Sequence, residues 1–559
     1  MSPAADRPGR VLRDAFPGGT VVLRLAVWVA LTGTVLVPLA LVVSVGLGAN
    51  HLPLLLEGGL VEASINSLVS ALASAVVAVV AGTVLSLVVD RSDVRGRTWL
   101  RMLMLTPLLV PPFVGAIAWT GLLTRGGLVD QLTGWVPWQF YGGGGVIALL
   151  ALHSMPTAYL VVSAALARVP DDLELAARMA GASPLRVYRD VTLPLVRPAL
   201  LAAFTLVFVG NLGDFGIPVL VGVPAGYDTL ATMVYRYLQS GTVSAPLQVV
   251  SQIGVVLVLL GLAGVLVDRL VARRSVELDG SGGIGAPLAL GRLRPAVTTA
   301  SWVTALVVTV GPLVALMSRA LIPAPGVPLT WANLTLDNLS RSLSAPSTVQ
   351  GFSNSLVLSL GAAALCGVLG LAVGLLVARI RGRGDQLALL AVLLPTAVPG
   401  LIVAVGWLIL GRYTGLFNTR WIILGAYVTA FTALVTQAVR GPLAGMSGAL
   451  EEAARLSGAR WFRSVWDTSI RLALPAAAAG AMLVAVTAVR ELTLSVLLVA
   501  PGTQTFGVVI FSYQQAGDYN ASSALSLVFM LIGLAAIGLV VPRERRPAPS
   551  PASPQEGTR

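Results

Sequence analysis

Val169–Leu200 reads VPDDLELAARMAGASPLRVYRDVTLPLVRPAL, and Met446–Ala477 reads MSGALEEAARLSGARWFRSVWDTSIRLALPAA. In both stretches acids come first, good helix formers follow, and a glycine stands seven residues after a shared glutamate: Gly181 after Glu174, Gly458 after Glu451. The pattern predicts a short helix that stops at a glycine, which admits positive φ without steric cost. Asp171 and Asp172 follow Pro170, at the end of that helix where its dipole favours negative charge. Beyond each glycine a second amphipathic stretch opens, with Leu185, Val187 and Tyr188 in one copy and Phe462, Val465 and Trp466 in the other. Each segment is expected to fold as a compact helical elbow.

The two elbows belong to a larger repeat. An offset of 277 residues pairs Glu174 with Glu451, Gly181 with Gly458, Arg186 with Arg463, Asp190 with Asp467, Pro198 with Pro475 and Asp214 with Glu491. Upstream the offset is 288, pairing Arg91 with Arg379, Pro107 with Pro395, Pro111 with Pro399 and Trp119 with Trp407. Apolar sequence matches Leu and Val by chance, but not Trp, Pro, Arg, Asp and Gly in one order. The chain is an internal duplication, and both units run in the same orientation, as parallel repeats about an axis along the membrane normal.

A chain that is 56% hydrophobic and 11% charged, with mean hydropathy +0.85, lies mostly in lipid. Apolar stretches long enough to cross about 30 Å of hydrocarbon predict about twelve spans, with cores at 22–46, 65–89, 99–122, 145–167, 198–220, 247–268, 298–318, 353–378, 387–410, 421–439, 473–499 and 523–541. The expected fold class is therefore an all-α integral membrane protein. Its organisation reads as an N-terminal segment 1–20, a first half 21–270 with core repeat 60–270, a linker 271–297, a second half 298–541 with core repeat 350–541, and a tail 542–559. Gly and charge in the linker, and Pro and charge in the tail, predict flexible cytoplasmic segments, the tail disordered. The apolar run from Val21 is too long for a signal peptide and is expected to stay as an anchor.

All 37 basic residues are arginines, and about 30 fall on alternate loops and both termini, leaving about six on the other side and Arg490 inside a span. This asymmetry predicts that both termini are cytoplasmic. Nucleic acid is not an expected partner, because the charge of +12 is spread over loops and forms no stripe. Without lysine there is no phosphate-binding GxxxxGK[ST] loop, so nucleotide must bind elsewhere. One cysteine, Cys366, and two histidines, His51 and His153, supply no metal cluster and no disulfide.

The elbows resemble the Glu-Ala-Ala loops of binding-protein-dependent ABC importer permeases of the smaller, type I architecture. The residues that carry the resemblance are Glu174, Ala176, Ala177, Gly181, Arg186 and Pro194 in the first copy, and Glu451, Glu452, Ala453, Ala454, Gly458 and Arg463 in the second. The second copy departs from the pattern with Arg471 where the first has Pro194. The resemblance implies coupling helices that dock on a separate ATP-binding cassette ATPase homodimer, which would hold ATP and Mg while this chain binds no cofactor. It also implies an extracytoplasmic substrate-binding protein, and one copy of this fused chain per complex. On that reading the protein is not an enzyme but a multi-pass subunit in the plasma membrane of a prokaryote. The bland alternative is a pair of amphipathic helices lying on the inner leaflet, which Trp461 and Trp466 would suit.

Polar groups inside spans are costly and mark function by default. Asn211 and Asp214 in FVGNLGDFGIPVLVG, with Arg490 and Glu491 in AVRELTLSVLLV, are the candidate translocation pathway, weighed evenly against structural pairing. Adjacent on one helix, Arg490 and Glu491 point apart, so Arg490 is expected to serve the opposite half. Tyr227–Gly241 and Thr503–Gly517 share a Thr, an apolar stretch and Tyr-x-Gln-x-Gly, and read as short outer helices facing a binding protein. GDFGIPVLVG and RELTLSVLLV, with the fused halves, look most like the ferric iron permease group. Thiamine, phosphonate, molybdate/sulfate and polyamine groups share the fold, and a proton-coupled secondary transporter is the alternative of another class. No metal ligand in this chain is identified.

Overall fold

Each half is organised around a bundle of three long helices. A computed structural model describes residues 17–136, 139–272, 289–380 and 382–540. In the first half α1 spans Thr20–Gly48, α2 Leu60–Asp90, α3 Arg97–Leu109, α4 Pro112–Leu123, α5 Gly143–Leu166, α6 Asp171–Met179, α7 Tyr188–Leu212, α8 Leu230–Gln239 and α9 Pro246–Ala272. In the second half α10 spans Gly291–Ala320, α11 Pro346–Ile380, α12 Gly384–Ala397, α13 Gly400–Thr414, α14 Arg420–Gly445, α15 Ala449–Leu456, α16 Trp461–Val489, α17 Phe506–Gln515 and α18 Tyr519–Val540. The bundles are α2, α5 and α7 in one half and α11, α14 and α16 in the other. Small residues let their backbones approach, as membrane helices require without a hydrophobic drive between them. At Gly82, for example, a Cβ would stand 2.7 Å from the Tyr159 amide.

The leading helix of each half packs across the duplication. α1 lies against α9 of its own half and against α11, α12, α13 and α14 of the other. α10 does the converse, lying against α18 of its own half and against α3 and α4 of the first. Arg24 of α1 grips Asp385 of α12 with two hydrogen bonds of 2.9 Å.

The expected count of about twelve spans changes. Among the described residues nine helices are long and apolar enough to cross a membrane, and eleven if each of two bent pairs is counted as one span. The bent pairs replace the expected straight spans 99–122 and 387–410: α3 and Pro112–Thr133 meet at 104°, and α12 and α13 at 109°. Proline causes both bends, because it removes an amide and forces the residue before it out of helical geometry. Val110 before Pro111 has ψ 128°, and Val398 before Pro399 has ψ 130°. The expected spans 198–220 and 473–499 likewise break, α7 ending at Leu212 and α16 at Val489. The expected linker 271–297 is helical at both ends, in α9 and α10, and residues 273–288 lie outside the described residues. So do the expected N-terminal segment up to residue 16 and the tail 542–559.

Candidate functional site

Both elbows form as short helices closed by glycine. α6 ends where Gly181 N–H donates to Arg178 O and Ala182 N–H to Ala177 O, and α15 ends with Gly458 on Arg455 and Ala459 on Ala454. This paired closure is a Schellman motif, which needs a left-handed residue at its corner. Gly181 has φ +85° and Gly458 φ +86°. Among the described residues, the chain neighbours aside, nothing comes within 4 Å of where a Cβ would stand at either glycine, so the corner faces open space.

The shared glutamates turn inward. Glu174 is 3% exposed and Glu451 1%. Arg91 Nη1 stands 3.7 Å from Glu174 Oε2, while its Nη2 donates to Leu166 O at 2.8 Å. Thr192 Oγ1 donates to Glu174 Oε1 at 2.8 Å. In the second half Arg379 Nε and Nη2 both reach Glu451 Oε1 at 3.0 Å, Arg379 Nη1 donates to Met446 O at 2.7 Å, and Ser469 donates to the same carboxylate. A buried charge is tolerable only with such partners. Each clasp therefore ties the elbow to the end of the first bundle helix and to the start of the third. π-helical turns at Tyr188–Thr192 and Trp466–Ile470 precede the straight parts of α7 and α16. Their extra residue per turn brings Thr192 and Ser469 round to the carboxylates.

Apolar side chains point the other way. Met179 is 89% exposed, and its repeat partner Leu456 is 90% exposed. Leu173 and Leu450 are also exposed, as are Phe462 and Trp466, which stack with ring centroids 6.0 Å apart. Ala176, Ala453, Arg186 and Arg463 are exposed, while Ala177 and Ala454 are half-buried. Arg463 stands 3.5 Å from Asp467. Glu452 is exposed where the first copy presents Leu175. Both α7 and α16 run unbroken through the site of the Pro194 and Arg471 difference. Pro194 falls just after the π-helical turn, where a missing amide disturbs the helix least.

The intramembrane candidates meet at the centre. A pocket of about 210 Å³ is lined by Phe113 and Asp214 from the first half and by Phe431, Thr487, Arg490 and Glu491 from the second. Asp214 Oδ1 accepts Ile217 N–H at 2.9 Å. Glu491 Oε1 accepts Leu494 N–H at 2.7 Å, and its Oε2 accepts Ser495 N–H at 3.1 Å. Both acids thus cap the short turn that follows a broken span. Both carboxylates are satisfied by backbone groups of their own half. Arg490 Nη2 donates to Val110 O of the opposite half at 3.4 Å. Gly213, at the matching position in the first half, packs against Pro399, where a Cβ would stand 2.6 Å from the proline Cβ.

Asn211 is absent from this lining. It donates to Ser74 at 2.8 Å and accepts from Ser154 at 2.7 Å, inside the first bundle. Its matches in the second half are apolar, Ala362, Phe431 and Ala488, so the network is particular to the first half.

Helices α8 and α17 converge on the broken span that carries Asp214. Phe215 of the broken span packs on Tyr235 of α8 at 4.9 Å and on Phe511 of α17 at 5.7 Å between centroids. Tyr235 and Phe511 are 6.1 Å apart, so the three rings form one cluster. Burial pushes the Tyr235 hydroxyl pKa up, keeping it neutral at physiological pH. Sequence reasoning found the acids but missed this aromatic cluster and the arginine partners of Glu174 and Glu451. The signal for the latter was present, since arginine and glutamate recur together in both halves.

The sequence pattern of the family described as "Binding-protein-dependent transport system inner membrane component" matches residues 78–277 and again 344–546. The chain is 25% identical to the Fe(3+)-transport system permease protein FbpB 2 of Haemophilus influenzae, over 80% of this chain and 83% of that one. It is 24% identical to the ferric transport system permease protein FbpB of Actinobacillus pleuropneumoniae, over 78% of this chain and 64% of that one. A probable molybdenum ABC transporter permease protein of Haloferax volcanii is 34% identical over 36% of this chain and 71% of its own length.

Proposed function

The chain belongs to the family of binding-protein-dependent transport system inner membrane components, with one match in each half of the duplication, and we propose that it carries ferric iron inward, driven by ATPase subunits docked at its two elbows. It is the membrane permease of an ABC importer. The observation that carries the coupling role is the matched pair of bare apolar tips, Met179 and Leu456, each held out by a glycine-closed helix on an internally clasped base. Exposed apolar groups on rigid, projecting supports are what a partner groove buries. In this reading the elbow face is cytoplasmic, with both termini, and a substrate-binding protein delivers cargo at the opposite face, where α8 and α17 meet.

Ferric iron as cargo rests on the two relatives named for it, which match about four fifths of the chain, whereas the molybdenum relative matches about a third. Asp214 and Glu491 offer carboxylate oxygens at the pocket, and a pathway needs cargo to enter without being held. The test is reconstitution of the chain in proteoliposomes with its ATPase and binding protein. ATP-dependent uptake of labelled ferric iron in preference to molybdate is expected. Molybdate uptake without iron uptake would move the cargo to the neighbouring group, and uptake that persists without the ATPase would make the chain a secondary transporter.

A further inference from the structure

A second and larger cavity, of about 800 Å³, opens on the face opposite the elbows. It lies at the far end of α4, which runs twelve residues from Pro112 at the central pocket to Leu123, about 18 Å at 1.5 Å per residue. Its walls come from both halves: Arg125 beyond α4, Tyr141 before α5, Arg319 in the last turn of α10, Gln514 at the end of α17, and Tyr519 at the start of α18. None of these residues belongs to the central pocket or to the elbows.

Arg319 is the centre of the site. Its stem lies across Gly121 of α4, where a Cβ would stand 3.3 Å from both Cδ and Nε. The side chain is half-buried, and it forms none of the ion pairs among the described residues. Arg236, on the same face, is matched by Asp228 at 2.5 Å. Taking a guanidinium from water without an anion is costly. The Gln514 side-chain oxygen is buried and has no hydrogen-bond partner among the described residues. Turning that amide over presents two donors at the same place. Asp130, in the short helix Leu128–Thr133 after α4, accepts the Gly126 amide at 2.8 Å.

The duplication provides an internal control. Val37-Pro38-Leu39 of α1 matches Gly311-Pro312-Leu313 of α10, which sets Val45 at the place of Arg319, and the shared Tyr-x-Gln-x-Gly sets Leu238 at the place of Gln514. The other half thus builds the same helix pair without this polar equipment. α1 and α9, the counterparts of α10 and α18, close backbone to backbone, a Cβ on Gly46 standing 2.6 Å from Ser251 O. The fold does not require the arginine.

We propose that this cavity binds a small oxyanion, a carboxylate or a phosphate, with Arg319 as its charged donor and Tyr519 and Gln514 as neutral ones. A guanidinium fork matches such oxygens in two parallel bonds. A volume of about 800 Å³ falls in the range of about 300–1,000 Å³ typical of small-molecule sites.

The test is calorimetric titration of the full chain in phosphatidylcholine nanodiscs with citrate and, separately, with inorganic phosphate. Saturable binding of at least one is expected, weakened at least about tenfold by Arg319→Gln and about threefold by Tyr519→Phe, in line with a charged against a neutral hydrogen bond. Should Arg319→Gln fail to fold by thermal unfolding, Gln514→Leu on a separate helix decides, with several-fold weakening expected. Repeating the titration in nanodiscs containing phosphatidylglycerol separates the sources. Binding suppressed by that lipid makes a headgroup the occupant, and unchanged binding makes it a free oxyanion. Binding of neither probe at 10 mM, or equal binding by wild type and the variants, overturns the proposal.

Discussion

Arg379 meets Glu451 at 3.0 Å through two nitrogens, whereas Arg91 stands 3.7 Å from Glu174, so the same clasp is tight in one half and loose in the other. Removing one partner of a buried pair costs about 3–5 kcal/mol, and the loose clasp has less to lose. Glu451→Gln is expected to lower the unfolding temperature more than Glu174→Gln. A double-mutant cycle should give a larger coupling for Arg379 with Glu451 than for Arg91 with Glu174. Equal couplings would contradict the inequality.

The bare tips should matter for assembly and little for folding. Burying a Met or Leu side chain contributes about 1.5–3 kcal/mol, which is about a 10- to 100-fold change in affinity. Met179→Asp and Leu456→Asp should each reduce recovery of the ATPase with the purified chain by such a factor, at normal expression. Full recovery from both variants would remove the tips from the docking surface.

Gly181 and Gly458 should tolerate no β-branched residue. At φ near +85° such a side chain is strained by about 1–3 kcal/mol, and the corner carrying the tip would open. Gly181→Val and Gly458→Val are expected to insert normally yet lose most transport and ATPase association. Normal uptake with unchanged complex recovery would show that the corner does not set docking.

Asp214 and Glu491 should separate by their bonding. Asp214 caps one amide through Oδ1, and Asp214→Asn keeps that acceptor while removing the charge. Uptake should fall several-fold with unchanged stability. Glu491 uses both oxygens on the backbone of the turn, so Glu491→Gln should cost stability as well as uptake. Kinetics untouched in both variants, with normal insertion, would end the pathway role.

Phe215 is fully buried between Tyr235 and Phe511. Phe215→Ala leaves a cavity in the cluster, at a cost of about 3–5 kcal/mol. ATP hydrolysis in the absence of the binding protein is expected to rise several-fold, because the closed outer face loses stability relative to the open one. Unchanged basal hydrolysis would argue that the rings do not hold the closed state.

The elbows were legible in the sequence because their pattern is local: acids, helix formers and a glycine at one spacing define a stop that tertiary context does not override. The duplication was legible because Trp, Pro, Arg and Gly recur in order. The bends at Pro111 and Pro399 were in view as matched prolines, yet apolar windows cross them without a dip, since hydropathy carries no record of a missing amide. Asn211 read as a candidate for pathway or structural pairing, because polarity in a span marks function by default. Its two serine partners come from helices 137 and 57 residues away in sequence, which periodicity cannot bring together. The cavity at Arg319 was illegible for the same reason, being assembled from both halves.

The exchange of leading helices sets a timetable for synthesis. Arg24 emerges 361 residues before Asp385. At a ribosomal rate of about 5–20 residues per second, α1 spends about 20–70 s in the bilayer with that guanidinium unanswered. Whatever shelters the newborn helix must hold it for that interval and then release it to a neighbour not yet made when it entered. Because both helices are threaded on one chain, the wait ends by itself. Cutting the chain between α9 and α10 would turn it into a search between two molecules.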